Sequence, residues 1–180
     1  MNDIPLWRRC IFAGAGLVLS AWILRAPIAG ALVARGDEYL YRSDPRGALR
    51  YYGRATAIDS NDALAIDRYL FDATALRDRS KIEEGIARAG SYLRAHPHDD
   101  TIRMDRAMAL RVTGRLDAAM NDFARVGAHG RDVRALTFAG LQARALGRAA
   151  QARHFWKQAL TIDPRFAPAR RLLGRPRPSR

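Results

Sequence analysis

The densest grouping of side chains that could do chemistry is His96, Pro97, His98, Asp99 and Asp100. Imidazoles and carboxylates are zinc donors, but a tetrahedral site wants two more ligands and none lies nearby in sequence. The structural reading is stronger: Pro97 ends one helical unit, and Asp99 or Asp100 caps the next. His154, beside Phe155 and Trp156, reads as a packing or exposed histidine, and His129 is the fourth histidine of the chain. Glu83 with Glu84, and Asp37 with Glu38, fall on expected helix surfaces, where they form solvated charges or local ion pairs. Gly14, Ala15 and Gly16 have no strand before them and no Lys-Ser/Thr after them, so no phosphate loop is implied. Cys10 is the single cysteine, which excludes a disulfide and leaves no thiol nucleophile in the folded part. The expectation is a non-enzymatic protein with no catalytic residue, cofactor or metal.

The elements that carry these residues are helical. Apolar residues make up 48% of the 180-residue chain and charged residues 27%, which places it among folded proteins. Alanine and arginine are frequent throughout, and no run alternates strictly between apolar and polar, so helix is expected everywhere and strand nowhere. The helices repeat. Ala159, Leu160, Thr161, Ile162, Asp163 and Pro164 echo Ala55, Thr56, Ala57, Ile58, Asp59 and Ser60. Upstream of each lies a small–bulky–small triplet: Ala152, Trp156 and Ala159, and Ala48, Tyr52 and Ala55. A third copy is Ala119, Phe123 and Val126. Offsets of 0, 4 and 7 share one helix face. Each such helix is preceded by another, with Leu32, Gly36 and Tyr39 in the first copy and Leu136, Gly140 and Ala143 in the last. The turns between paired helices read Ser43, Asp44, Pro45, then Gly114, Arg115, then Gly147, Arg148; Asp44 suits a cap and Pro45 a first helical position.

This pattern resembles the tetratricopeptide repeat, a helix–turn–helix of about 34 residues. The resemblance covers roughly residues 29–164. It implies an all-α solenoid of about four helical hairpins, with repeats near 29–60, 63–97, 100–131 and 133–164 inside a domain spanning 28–173. Residues 166–173 resemble a capping helix, and 174–180 read as a basic disordered tail. The fourth copy matches best. In the second, Ile66, Leu70 and Ala73 are in register, but Gly85, Ala89 and Tyr92 fit only if the turn around Asp78, Arg79 and Ser80 is about three residues longer. The resemblance further implies that first helices line a concave groove. By position, that groove takes Val33, Asp37, Leu40 and Tyr41, then Asp67, Phe71 and Thr74, then Met104, Met108 and Arg111, then Arg134, Thr137, Leu141 and Arg144. Such a groove is acidic at one end, apolar in the middle and basic at the other, and prefers a partner's acidic end near the fourth repeat. The alternative is that these residues pack on their own neighbours or face the protein's own N-terminal linker.

The N-terminal segment, residues 1–27, is of another kind. Trp7, Arg8 and Arg9 precede an uncharged apolar run over residues 10–24, closed by Arg25. Fifteen helical residues reach about 22 Å, short of the usual span of about 20 residues. Trp7 and Trp22 in the interface, with Arg9 and Arg25 snorkelling, extend that reach. The preferred reading is a membrane anchor. A cleavable signal peptide is the rival, with helix-breaking Pro27 ahead of Ala29, Gly30 and Ala31; a buried helix of a soluble fold is the third.

The formal charge is +13, and Lys81 and Lys157 are the only lysines. Such a surface attracts acidic proteins, anionic lipid or nucleic acid without choosing among them. The expected function is a membrane-tethered adaptor that binds a protein partner. It would support assembly or stability of an envelope or inner-membrane complex, single-pass in the inner membrane with the folded part periplasmic. The alternative is a basic soluble domain that binds nucleic acid or anionic lipid.

Overall fold

The computed structural model describes residues 6–174, with side chains from residue 23 onward. Trp7, Arg8, Arg9 and Trp22 of the expected anchor, and the tail beyond Gly174, therefore lie outside the described side chains. Among the described residues there are nine α-helices and no strand: α1 (Leu6–Tyr41), α2 (Pro45–Ile58), α3 (Ala63–Ala75), α4 (Arg79–Ala95), α5 (Asp100–Val112), α6 (Leu116–His129), α7 (Val133–Ala145), α8 (Ala149–Ile162) and α9 (Ala167–Gly174). They divide into two units, residues 1–65 and residues 66–180.

In the first unit, α1 and α2 form a hairpin. Gly36 on α1 has no side chain because the Tyr52 ring of α2 occupies that space. Tyr52 is fully buried, and its hydroxyl donates to Asp37 Oδ1 at 2.6 Å. Val33, expected to line a groove, is instead buried in this hairpin at 3% exposure. It lies one turn from Gly36 on the same face, so the close approach that suits glycine also encloses valine. The helix runs through Pro27. Proline lacks the N–H that would reach the carbonyl four residues back, so this turn continues without that bond. No helix among the described residues is long and apolar enough to cross a membrane.

The second unit repeats the small-against-large device. Trp156 on α8 fills the space over Gly140 on α7, and its Nε1 donates to the Thr137 carbonyl at 3.3 Å. The hairpin of α3 and α4 inverts it. Leu70 on α3 is the large residue and Gly85 on α4 the small one. The polar pair inverts as well: here the tyrosine, Tyr69, is on the first helix and donates at 2.6 Å to Glu84 on the second. The expected three-residue lengthening of this turn is absent. Residues 76–78 match the other three-residue turns, and α4 instead has 17 residues where α2, α6 and α8 have 14. Counted from its cap, α4 places Ile82, Ile86 and Ala89 where α2 places Ala48, Tyr52 and Ala55, and all six are buried. The extra turn is Leu93, Arg94 and Ala95, just beyond Tyr92, whose hydroxyl reaches Asp99 Oδ2 at 2.9 Å.

The four turns inside hairpins share one geometry. Ser43, Arg77, Gly114 and Gly147 adopt φ of 60°, 55°, 81° and 77°. The next backbone N–H bonds back five residues, from Asp44 to Tyr39, Asp78 to Ala73, Arg115 to Leu110 and Arg148 to Ala143, which closes the helix C-terminus in a Schellman turn. Where the left-handed residue is not glycine, an aspartate follows and caps the next helix: Asp44 accepts from Gly47 N at 2.8 Å and Asp78 from Lys81 N at 3.1 Å. Where it is glycine, an arginine follows and no side chain caps. A left-handed L-residue costs about 1–2 kcal/mol, and an aspartate cap offsets about 1 kcal/mol of that.

Candidate functional site

Asp132 caps the start of α7. Its Oδ1 accepts from Arg134 N at 2.7 Å and Ala135 N at 3.2 Å, which fixes the first turn of α7. Arg134, Thr137, Phe138 and Leu141 then follow at offsets 0, 3, 4 and 7, on one face. Thr137 is buried and donates to the Val133 carbonyl at 2.8 Å, so it presents its methyl side without an unpaired hydroxyl. Phe138 is held from behind by Phe123 of α6, ring to ring at 5.3 Å. Opposite this face stand Phe166, Pro168 and Leu172, the last two on α9, and together the walls enclose a cavity of ≈ 570 Å³. Its lining is mainly apolar, with Arg134, Thr137 and Arg171 as the polar residues. The Arg134 side chain is 74% exposed and pairs with Asp132, at 3.4 Å. Arg171 is exposed and pairs with no carboxylate among the described residues. An apolar slot beside Arg171 and the Asp132-paired, largely exposed Arg134 suits an apolar side chain next to a carboxylate.

No protein-family model matches the chain, and no curated protein does. Solved structures do. A crystal structure of MamA protein superposes with a TM-score of 0.70 at 17% identity, over 82% of this chain and 79% of that one. MamA 41-end from Desulfovibrio magneticus RS-1 gives 0.67 at 19% identity, over 81% of each chain. A tetratricopeptide repeat protein from Parabacteroides merdae ATCC 43184 gives 0.64 at 20% identity, over 80% of this chain and 57% of that one. The chain has the tetratricopeptide-repeat fold.

Within that fold, the other residues expected on the groove are scattered in character. In the first hairpin, Asp37 is committed to Tyr52, while Leu40 and Tyr41 are exposed at 37% and 91%. Arg25, expected at a membrane interface, has its Nε 3.9 Å from Asp59 Oδ1. On α3, Phe71 is 67% exposed and Thr74 half-buried; on α5, Met104 and Met108 are half-buried and Arg111 is exposed. The Asp67 carboxyl lies close to that of Asp105 on α5. Burial first, and the Asp67 and Asp99 carboxylates next, push Asp105 up to about 7, and its Oδ2 has no hydrogen-bond partner. Two carboxylates in contact share a proton more readily than they hold two charges. Arg144 stacks over the Trp156 ring at 5.4 Å and is not part of the α7–α9 cavity. Arg134, Thr137 and Leu141 are thus the expected residues that the structure brings together. Phe138 was legible from its shared face with Leu141; Phe166, Pro168, Arg171 and Leu172 depend on where α9 docks.

The tetratricopeptide turns also account for the histidines. His96 stacks on Tyr92 at 4.4 Å, and His98 stacks on His129 at 5.3 Å. His129 Nδ1 lies 2.7 Å from Asp100 Oδ2. Asp99 caps α5 through Ile102 N at 3.0 Å. Among the described residues no group of three or more His, Cys, Asp or Glu could hold a metal ion.

Proposed function

We propose that this chain is a non-enzymatic, membrane-tethered adaptor. Its α7–α9 pocket captures an apolar side chain next to a carboxylate on a partner protein. The observation that carries this reading is the mainly apolar cavity with Arg134 and Arg171 in its lining. The fold supports it, since stacked hairpins present extended surfaces rather than an enclosed reaction site. The tether is proposed from the uncharged run over residues 10–24, which shares a helix with the first hairpin. Tethering raises effective concentration, so a modest pocket affinity would suffice. We place the anchor in an inner membrane, the folded part on the periplasmic side, and the partner within a membrane or envelope complex.

Affinity isolation of the tagged full chain from gently solubilised membranes tests the pocket. A stoichiometric partner is expected, and Leu141→Asp with Arg134→Glu should release it while the thermal melt stays cooperative. Retention of the same partner by that double variant would sink the pocket assignment. A reporter fused after residue 174 should be active only outside the cytoplasm; activity inside would overturn the orientation. The net charge of +13 favours one second reading, a basic surface for nucleic acid or anionic lipid. Binding of that kind would weaken steeply with added salt, as phosphate contacts do.

A further inference from the structure

A second concavity lies among α4, α5 and α6, and shares no residue with the α7–α9 pocket. Its volume is ≈ 780 Å³. Ile86 and Leu110 give it an apolar floor. The α6 wall is built from Ala118, Asn121, Arg125 and Ala128 at offsets 0, 3, 7 and 10, one helix face in which the alanines leave room for another backbone.

Charge distinguishes this cleft. Asp122, nearly buried, is spent internally: Arg106 grips it with two bonds of 2.7 Å, and Arg103 lies 3.7 Å away. Arg115 pairs with Glu83 at 2.9 Å in a half-exposed contact. Arg125 is exposed and makes no ion pair among the described residues. With Arg106 matched to Asp122 and Arg115 to the exposed Glu83, Arg125 is left as the positive charge of the lining without an ion pair among the described residues. No aromatic residue lines the cleft, so it offers no platform for stacking bases. Its concavity suits a rod better than a flat bilayer. Guanidinium groups beside small residues and an apolar floor match a helix with carboxylates on one side and aliphatic residues on the other.

We propose that the α4–α5–α6 cleft docks an acidic amphipathic helix of a partner protein, independently of the α7–α9 pocket. The chain then bridges two binding events rather than holding one client.

The test places a photo-crosslinking amino acid at Asn121 of the full chain in cells and sequences the attached peptide. The expected adduct is a peptide rich in Asp and Glu at helical spacing. It should be lost with Arg125→Glu and retained with Leu141→Asp. A synthetic copy of that peptide, labelled for anisotropy, should bind about tenfold more weakly to Arg125→Glu, or when its glutamates become glutamines. The exposed position of Arg125 leaves the thermal melt unchanged. No adduct, an adduct to lipid or nucleic acid, a non-acidic peptide, or indifference to Arg125→Glu would each overturn the proposal. Loss of the adduct with Leu141→Asp would also overturn it, because the two surfaces would then be one. Failure of the α7–α9 reading alone leaves the Asn121 adduct intact.

Discussion

Asp105 shows how a single carboxyl can set a pH dependence. Burial and the Asp67 carboxylate raise it to about 7, against an ordinary value of 3.8. Between those values the folded chain holds a proton that the unfolded chain has released. The folded state therefore binds more protons, and stability must fall as pH rises from about 4 to about 7. Asp105→Asn keeps the shape and abolishes the titration. Thermal melts should show the variant more stable than the parent at pH 8, by about 1–2 kcal/mol, and the gap should close near pH 4. Glu84 works the other way. The Tyr69 hydroxyl first, with help from Lys81 and Arg88, holds it near about 2. Its contribution is complete above the ordinary value of 4.5 and disappears as pH falls toward 2. Tyr69→Phe should move the acid-unfolding midpoint upward, as read by circular dichroism. The Asp67–Asp105 contact was not legible in the sequence. The two residues are 38 positions apart on different hairpins, and nothing local about either marks the meeting.

At the scale of the helix, glycines test which contacts are tight. A Cβ at Gly140 would overlap the Trp156 indole, with the ring fixed by its bond to the Thr137 carbonyl. Gly140→Ala should cost about 1–3 kcal/mol. Gly30, on the same kind of helix, has nothing within 4 Å of the same added atom. Gly30→Ala should stabilise by about 0.5–1 kcal/mol, so chemical denaturation of the pair gives opposite signs. The small and aromatic residues at offsets 0, 4 and 7 made most hairpins readable, because their packing depends on sequence spacing alone. The second hairpin misled because Gly85, Ala89 and Tyr92 reproduce that spacing three residues late. The cap at Asp78 fixes the true start of α4, and Ile82 and Ile86 fill the positions the small residue and the aromatic usually hold. Val33 misled for a related reason: a groove position on one hairpin is a core position on another when the partner helix comes close enough.

For the molecule as a whole, stability in a stacked array is a sum over neighbours, and the last hairpin depends on α9. Ala169 is fully buried, and Phe166 and Leu172 close one wall of the α7–α9 cavity. Truncation after Pro164 should lower the melting temperature by several degrees, expose Phe138 and Leu141, and increase binding of a hydrophobic dye. An unchanged melting temperature would mean that α9 is dispensable. The pocket was only half readable for this reason. One wall follows from the face of α7, but the other needs a chain reversal after Asp163 that the repeat pattern does not dictate.

The inverted hairpin restricts how such a gene could be cut and rejoined. A first helix carrying Gly36 or Gly140 accepts an aromatic from its partner, whereas α3 offers Leu70 and needs Gly85 in return. A chimera that set α3 against α8 would drive Leu70 into Trp156, and one that set α7 against α4 would leave two glycines facing a hole. Viable recombination breakpoints should therefore fall between hairpins, near residues 96–99 and 130–132, and never inside the turn at 76–78.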